Sequence, residues 1–287
     1  MTAVIEARNL TKHYGTTLAL DRATFTIPAG RIVGLLGPNG AGKTTTLQAI
    51  LGLTAVAGEV RVLGRDPFED RQALMEEVCF IADVAILPRW LRVADAVAFV
   101  EGVHPRFKRA TCEAFLARTQ ISLSAQVKQL SKGMIVQLHL ALILAIDAKI
   151  LVLDEPTLGL DVLYRKAFYR SLLEDYYDGQ RTIVISTHQI KEVEAILTDV
   201  IMLRHGQVVL DSAMEDLPGR FAQLQVSTPA AREAARALAP LDERQAFGQS
   251  FFIYGGADPA ALAPLGTVTP AALSDVFVAL MGQGERA

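Results

Sequence analysis

The sequence predicts an α/β fold around a mainly parallel sheet, and three observations predict it. Ile150–Leu153 and Thr182–Ser186 are short apolar runs of the kind buried on both faces of a parallel sheet. Between them, Val162–Tyr177 has the spacing of an amphipathic helix. Earlier, a glycine-rich loop joins a strand at Arg31–Leu36 to a helix at about Gly42–Leu51. Strands that alternate with helices belong to α/β architectures.

The remaining elements follow in order. Val4–Leu10 and Leu18–Ile27 are rich in Val, Ile, Leu and Thr and read as strands; Pro28, Ala29 and Gly30 turn the chain into the next one. Val93–Gln126 reads as short helices, and Ser131–Ala145 as a helix apolar on nearly every side, with Ser131 as its N-cap. Pro218-Gly219 marks a change to a segment rich in Ala and Pro. Strand-like runs at Phe221–Ser227 and Ser250–Tyr254, with helices near Ala230 and Ser274, predict a small α+β unit there. A boundary is therefore placed at about residue 217. At 287 residues and 51% hydrophobic, one large domain plus a smaller one is the expected organisation.

Charge and composition exclude several classes. A net charge of −3 provides no electrostatic footprint for nucleic acid. Cys79 and Cys112 are too far apart for a CxxC site and read as reduced thiols of a cytosolic protein. The opening MTAVIEARNL has no apolar core and is not read as a secretory signal. The longest apolar run, Leu140–Ile146, is far below the roughly 20 residues of a spanning helix.

Gly37, Pro38, Asn39, Gly40, Ala41, Gly42, Lys43 and Thr44 fit GxxxxGK(S/T) between a strand and a helix. In such a loop the glycines let backbone N–H groups turn inward around phosphate oxygens, and the next helix adds its positive end. Lys43 is placed to reach the β- and γ-phosphates, and Thr44 to ligate Mg²⁺. Ile150–Glu155 is an apolar strand ending in two carboxylates: Asp154 is assigned to the metal and Glu155 to the attacking water. His188 follows the end of the strand at Thr182–Ser186 and can hydrogen-bond a γ-phosphate. His13, His104, His139 and His205 lack such a placement and are read as structural.

With these residues in order, the chain resembles the ATP-binding subunit of an ABC transporter of export type, over about residues 3–213. Gly37–Thr45 looks like the Walker A motif and Ile150–Glu155 like Walker B with its catalytic glutamate. Leu158–Asp161 matches the D-loop, and Ser186–His188 the H-loop. Leu130-Ser131-Lys132-Gly133-Met134 stands in the place of the LSGGQ signature, and Tyr14 looks like the aromatic that stacks on adenine. Asp83 falls where the Q-loop glutamine normally sits. Its shorter, charged side chain could still bind Mg²⁺ or water with altered reach.

The resemblance implies an antiparallel β-subdomain and a helical subdomain (about 84–146) beside the parallel core. It also implies ATP and Mg²⁺ as ligands. Two ATPase domains would pair head to tail, as a homodimer or with a second ATPase subunit, so that Ser131, Gly133 and Asp161 of one reach nucleotide on the other. The partner implied is a separate multi-spanning membrane subunit, gripped around Ile86–Leu91, which holds the sole tryptophan, Trp90. The chain would then sit at the inner face of the cell membrane. The tail from Pro270 to Leu280 resembles that of separately encoded export ATPases, with Leu273, Val276, Phe277 and Leu280 on one helical face. Two alternatives stand beside this reading. One is a soluble ABC-type ATPase not coupled to transport, which usually carries two ATPase domains or a coiled-coil insertion. The other is a low-turnover regulatory subunit, suggested by Asp83 and the altered signature and opposed by Glu155.

Overall fold

The computed structural model describes residues 2–81 and 87–282, so Asp83 lies outside the described residues. The chain opens with a hairpin, β1 (Ala3–Tyr14) and β2 (Thr17–Pro28), and passes through β3 (Ile32–Leu36) into α1 (Lys43–Ile50). It returns as β4 (Ala57–Val62), then reaches β5 (Val78–Ile81) after the short helix α2 (Arg71–Met75). Three helices follow: α3 (Val93–Val103), α4 (Arg109–Leu116) and α5 (Lys132–Leu144). Then come β6 (Ile150–Asp154), α6 (Val162–Ser171), β7 (Thr182–Thr187), the one-turn α7 (Ile190–Val193), β8 (Asp199–Arg204) and β9 (Gln207–Ala213).

The central sheet has the order β5-β6-β7-β3-β8-β9, parallel except for β8–β9. Every residue of β3, β6 and β7 is buried, which is why these segments read as apolar runs. A separate antiparallel sheet, β2-β1-β4, supplies the β-subdomain. There β2 alternates buried and exposed positions along its second half, as one solvated face requires. Helices α3, α4 and α5 share a core of their own around Val93, Val97, Cys112, Leu138 and Ala141. Burial raises the Cys112 thiol to about 11 and the Cys79 thiol to about 12, so both stay protonated at neutral pH.

Beyond β9, the short helix α8 (Leu217–Arg220) leads into β10 (Phe221–Val226), α9 (Pro229–Ala237), β11 (Asp242–Ala246) and β12 (Gln249–Gly255). These are followed by α10 (Pro259–Leu262), β13 (Thr267–Pro270) and α11 (Leu273–Gly282). The four strands make an antiparallel sheet of order β11-β12-β10-β13. This segment is not detached. Leu273, Val276 and Ala279 of α11 are buried in the same core as β3, β6 and β7, with Phe277 and Leu280 packed against it. Arg204 donates to the Leu280 carbonyl at 2.5 Å, and the Leu273 N–H to Glu194 at 2.9 Å. The apolar face expected in the tail is thus spent within the chain.

One expectation changes. The helix expected over Val162–Tyr177 ends as α at Ser171, and Leu172–Tyr176 widens into a π turn that buries Leu172 and Tyr176. Trp90 is 71% exposed and belongs to no hydrophobic core.

Candidate nucleotide site

β3 delivers the chain to the glycine-rich loop, and α1 begins at Lys43. The N-cap, Gly42, has φ 106°, a left-handed conformation that costs an L side chain dearly, and it offers no side-chain cap. The first N–H groups of α1 are therefore free to meet an anion. A Cβ at Gly42 would also fall 2.6 Å from the Ala19 carbonyl, because the start of β2 lies against the loop. Gly37 has the same kind of constraint: a Cβ there would be 2.6 Å from the Leu203 carbonyl. A cleft of about 330 Å³ results, lined by Thr17, Leu18 and Ala19, by Asn39 to Thr45, and by Glu155.

Lys43 is only 7% exposed, and its ammonium donates to the Gly37 and Pro38 carbonyls at 2.8 and 3.3 Å. Its Nζ also lies 3.5 Å from Glu155 Oε1. The Thr44 hydroxyl donates to Asp154 Oδ2 at 3.0 Å, and Ser186 Oγ donates to the other carboxylate oxygen, Oδ1. The Glu155 N–H reaches both the carbonyl and the hydroxyl of Ser186 at 3.1 Å. Register explains this: Asp154 pairs with Ser186 across the β6–β7 ladder. Glu155 itself has φ 46°, a left-handed backbone that costs a residue with a Cβ on the order of 1–3 kcal/mol. The turn points its carboxylate back over the loop, where His188 Nδ1 lies 2.9 Å from Oε1. A carboxylate can only accept, so Nδ1 carries the hydrogen, and Nε2 can donate to a phosphate as well only if the ring is an imidazolium.

The Thr44 hydroxyl and the Asp154 carboxylate, 3.0 Å apart, are oxygen donors of the kind Mg²⁺ takes. Among the described residues no cluster of three or more His, Cys, Asp or Glu forms a cage, so the donor set fits an ion that keeps phosphate and water ligands. The sequence-derived residues Lys43, Thr44, Asp154, Glu155 and His188 are thus brought together with Gly37, Asn39, Gly40, Ala41, Gly42 and Thr45. Ser186 and Thr17–Ala19 were missed. Ser186 lay inside the recognised Ser186–His188 segment, so its position was visible and only its role was not.

Four other sequence-predicted residues sit elsewhere. Tyr14, 47% exposed, ends β1 outside the cleft lining; its hydroxyl donates to Gln48 Oε1 at 3.2 Å and the Lys12 ammonium lies 5.0 Å from its ring centre. Ser131 caps α5 by accepting the Met134 N–H at 3.2 Å. Asp161 caps α6, accepting from Leu163 and Tyr164. Gly133 has an intrachain reason to be glycine, since a Cβ would fall 1.9 Å from the Tyr164 ring of α6. Gly133→Ala is expected to cost about 1–3 kcal/mol by forcing that ring outward. Chemical denaturation will measure it, and in a Tyr164→Ala background most of the cost should vanish. An equal cost in both backgrounds would show that the ring is not what requires glycine.

Comparison with known proteins agrees with this geometry. A family profile described as ABC transporter matches residues 20–158. A second, described as an AAA domain and putative AbiEii toxin of a type IV system, matches residues 123–194, downstream of the phosphate loop. The Nod factor export ATP-binding protein I of Cupriavidus pinatubonensis is 31% identical over 311 residues, covering 100% of this chain and 93% of that protein. The sulfate/thiosulfate import ATP-binding protein CysA of Neisseria meningitidis is 33% identical over 214 residues, covering 71% of this chain and 60% of its own length. The solved ATP-binding subunit of an ABC transporter superposes with a TM-score of 0.65 at 24% identity, over 75% of this chain and 92% of that one. An ATP-binding cassette in its ADP conformation gives 0.64 at 18% identity, over 76% and 95%. These two show the fold. The full-length relative shows the family: the chain belongs to the ABC transporters, as one of their ATP-binding, ATP-hydrolysing subunits.

Proposed function

We propose that this subunit hydrolyses ATP in a head-to-tail dimer and so drives a separate membrane subunit, in the direction of export. The observation that carries the catalytic part is the convergence of Lys43, Thr44, Asp154, Glu155 and His188 at one loop. ATP lies with its phosphates on the N–H groups of Gly40 to Thr45, its γ-phosphate on Lys43, and its base toward Tyr14. Thr44 and Asp154 would hold Mg²⁺, which would supply positive charge to neutralise the phosphates. Glu155 accepts a hydrogen bond from water and draws off its proton as the oxygen attacks the γ-phosphorus. The bond to the β–γ bridging oxygen breaks, leaving ADP and inorganic phosphate. His188 keeps Glu155 turned toward that water. Ser131 and Asp161 complete the nucleotide site of the facing copy, and loss of the γ-phosphate lets the copies part.

Export is favoured by the span of the relatives. The Nod factor export proteins of two Cupriavidus species match 100% of this chain, including everything beyond residue 217, whereas the import relative matches 71%. Dimerisation is tested by light scattering of Glu155→Gln protein: a doubling of mass with ATP·Mg²⁺ but not with ADP supports it, and a monomer in both contradicts it.

The docking face for the membrane subunit is the helical subdomain, which exposes Trp90, Phe99 and Val103. Phe99 and Val103 lie four apart on one face of α3. Among the described residues no helix is long and apolar enough to cross a membrane. Trp90→Ala should weaken association by on the order of 2 kcal/mol, about thirtyfold in affinity, with ATP binding retained. Undiminished co-purification of the variant would count against this face.

A further inference from the structure

Arg165 has no place in the nucleotide chemistry, yet its guanidinium ties together two segments that reach the site. It sits in the first turn of α6 and its side chain is 20% exposed. Its Nε donates to the Leu160 carbonyl at 2.6 Å, and its Nη1 to Gln189 Oε1 at 2.6 Å; the same Nη1 pairs with the Glu192 carboxylate. The acceptors belong to two separate segments. Leu160 lies in the turn that leaves β6 through Glu155. Gln189 and Glu192 follow His188 at the end of β7, with the Gln189 N–H donated to Thr187 Oγ1 at 3.0 Å. Only a guanidinium, with five N–H donors in a rigid plane, satisfies this set at once; an ammonium is a point donor on a flexible stem.

The two segments meet again at the site, where His188 Nδ1 lies 2.9 Å from Glu155 Oε1. They are therefore clamped at both ends, by Glu155–His188 in front and by Arg165 behind. The front contact alone leaves a carboxylate on a strained left-handed residue and a histidine whose following residue is otherwise held by one short turn. We propose that Arg165 is a positioning residue for hydrolysis: it ties the Leu158–Asp161 turn to the segment behind His188, so that the two keep the spacing Glu155 and His188 need. This rests on the catalytic reading of Glu155 given above. It adds that a movement at Asp161 is passed to His188 through a side chain that touches neither nucleotide nor metal. Tyr164, the neighbouring residue in α6, lies on Gly133, so the same helical turn also rests on the start of α5.

The test compares wild type, Arg165→Ala, Arg165→Lys, His188→Ala and Glu155→Gln in the full chain. ATP turnover and the hydrogen exchange of backbone amides are both measured. Arg165→Ala should lower kcat by about tenfold to a hundredfold, the range of a small misplacement, with KM for ATP essentially unchanged. Exchange should quicken together at residues 158–161 and 188–190 and stay unaltered at 37–45. Arg165→Lys keeps the pairing with Glu192 and should recover only part of kcat. Quickened exchange in one segment alone, in neither, or throughout the core overturns the proposal, as does a change in KM with kcat preserved. Should Glu155→Gln and His188→Ala leave turnover intact, the catalytic reading fails; the exchange data still judge the tie, since they do not depend on chemistry.

Discussion

Glu155→Gln is expected to lower kcat for ATP hydrolysis by about 10²–10⁴-fold, the contribution of a positioned base. That corresponds to roughly 3–5 kcal/mol of barrier. The amide has nearly the shape of the carboxylate, so the left-handed turn at residue 155 and the Ser186 contacts to its N–H can persist. The amide oxygen can still accept from His188 Nδ1. What disappears is the negative charge 3.5 Å from Lys43 Nζ and the capacity to take a proton from water. Binding of ATP should therefore survive, because Lys43 loses a competitor for phosphate and not a partner it needs there. Single-turnover and equilibrium-binding measurements separate the two effects. Turnover within a factor of two or so of wild type would move the base elsewhere.

Lys43→Ala should act on binding. The ammonium sits inside the loop on the Gly37 and Pro38 carbonyls, already stripped of most of its water. Transfer of such a cation to a triphosphate costs little further desolvation. A hydrogen bond to a charged group contributes about 1.5–3 kcal/mol, so its loss should weaken ATP by roughly tenfold to somewhat over a hundredfold. Calorimetric titration with ATP·Mg²⁺ reads this directly. Affinity equal to wild type would mean that the backbone N–H groups hold the phosphates without Lys43.

Much of the site was legible because buried parallel strands announce themselves. β3, β6 and β7 have no exposed face, so each reads as an apolar run, and the polar residues that end each run fall on one edge of the sheet. Asp154, Glu155 and His188 follow from that, and Lys43 from the GxxxxGK(S/T) spacing of the loop after β3. Ser186 did not, because its link to Asp154 depends on which residues face each other across the ladder, and register between parallel strands 32 residues apart leaves no local trace. Gly133 carried a second meaning for the same reason: the ring that covers it comes from Tyr164, on another helix. Strands β4, β8 and β9 were passed over. Val200–Leu203 in β8 is a buried apolar run that could have been found, whereas β4 buries only Val60 and Val62 and carries Gly58, Glu59 and Arg61 outward. The C-terminal helix was read correctly as one-faced, but a face does not say what covers it. Here the ATPase core does.

The most direct test of the central claim is recovery of tagged Glu155→Gln protein from detergent-solubilised native membranes, with ATP·Mg²⁺ and without nucleotide. The variant should arrest hydrolysis and hold the paired state. A multi-spanning membrane protein should be recovered, in greater yield with ATP·Mg²⁺, and adding Trp90→Ala to the variant should reduce that yield. Recovery of soluble assemblies alone, under both conditions, would contradict it and leave an ATPase that works apart from any membrane subunit.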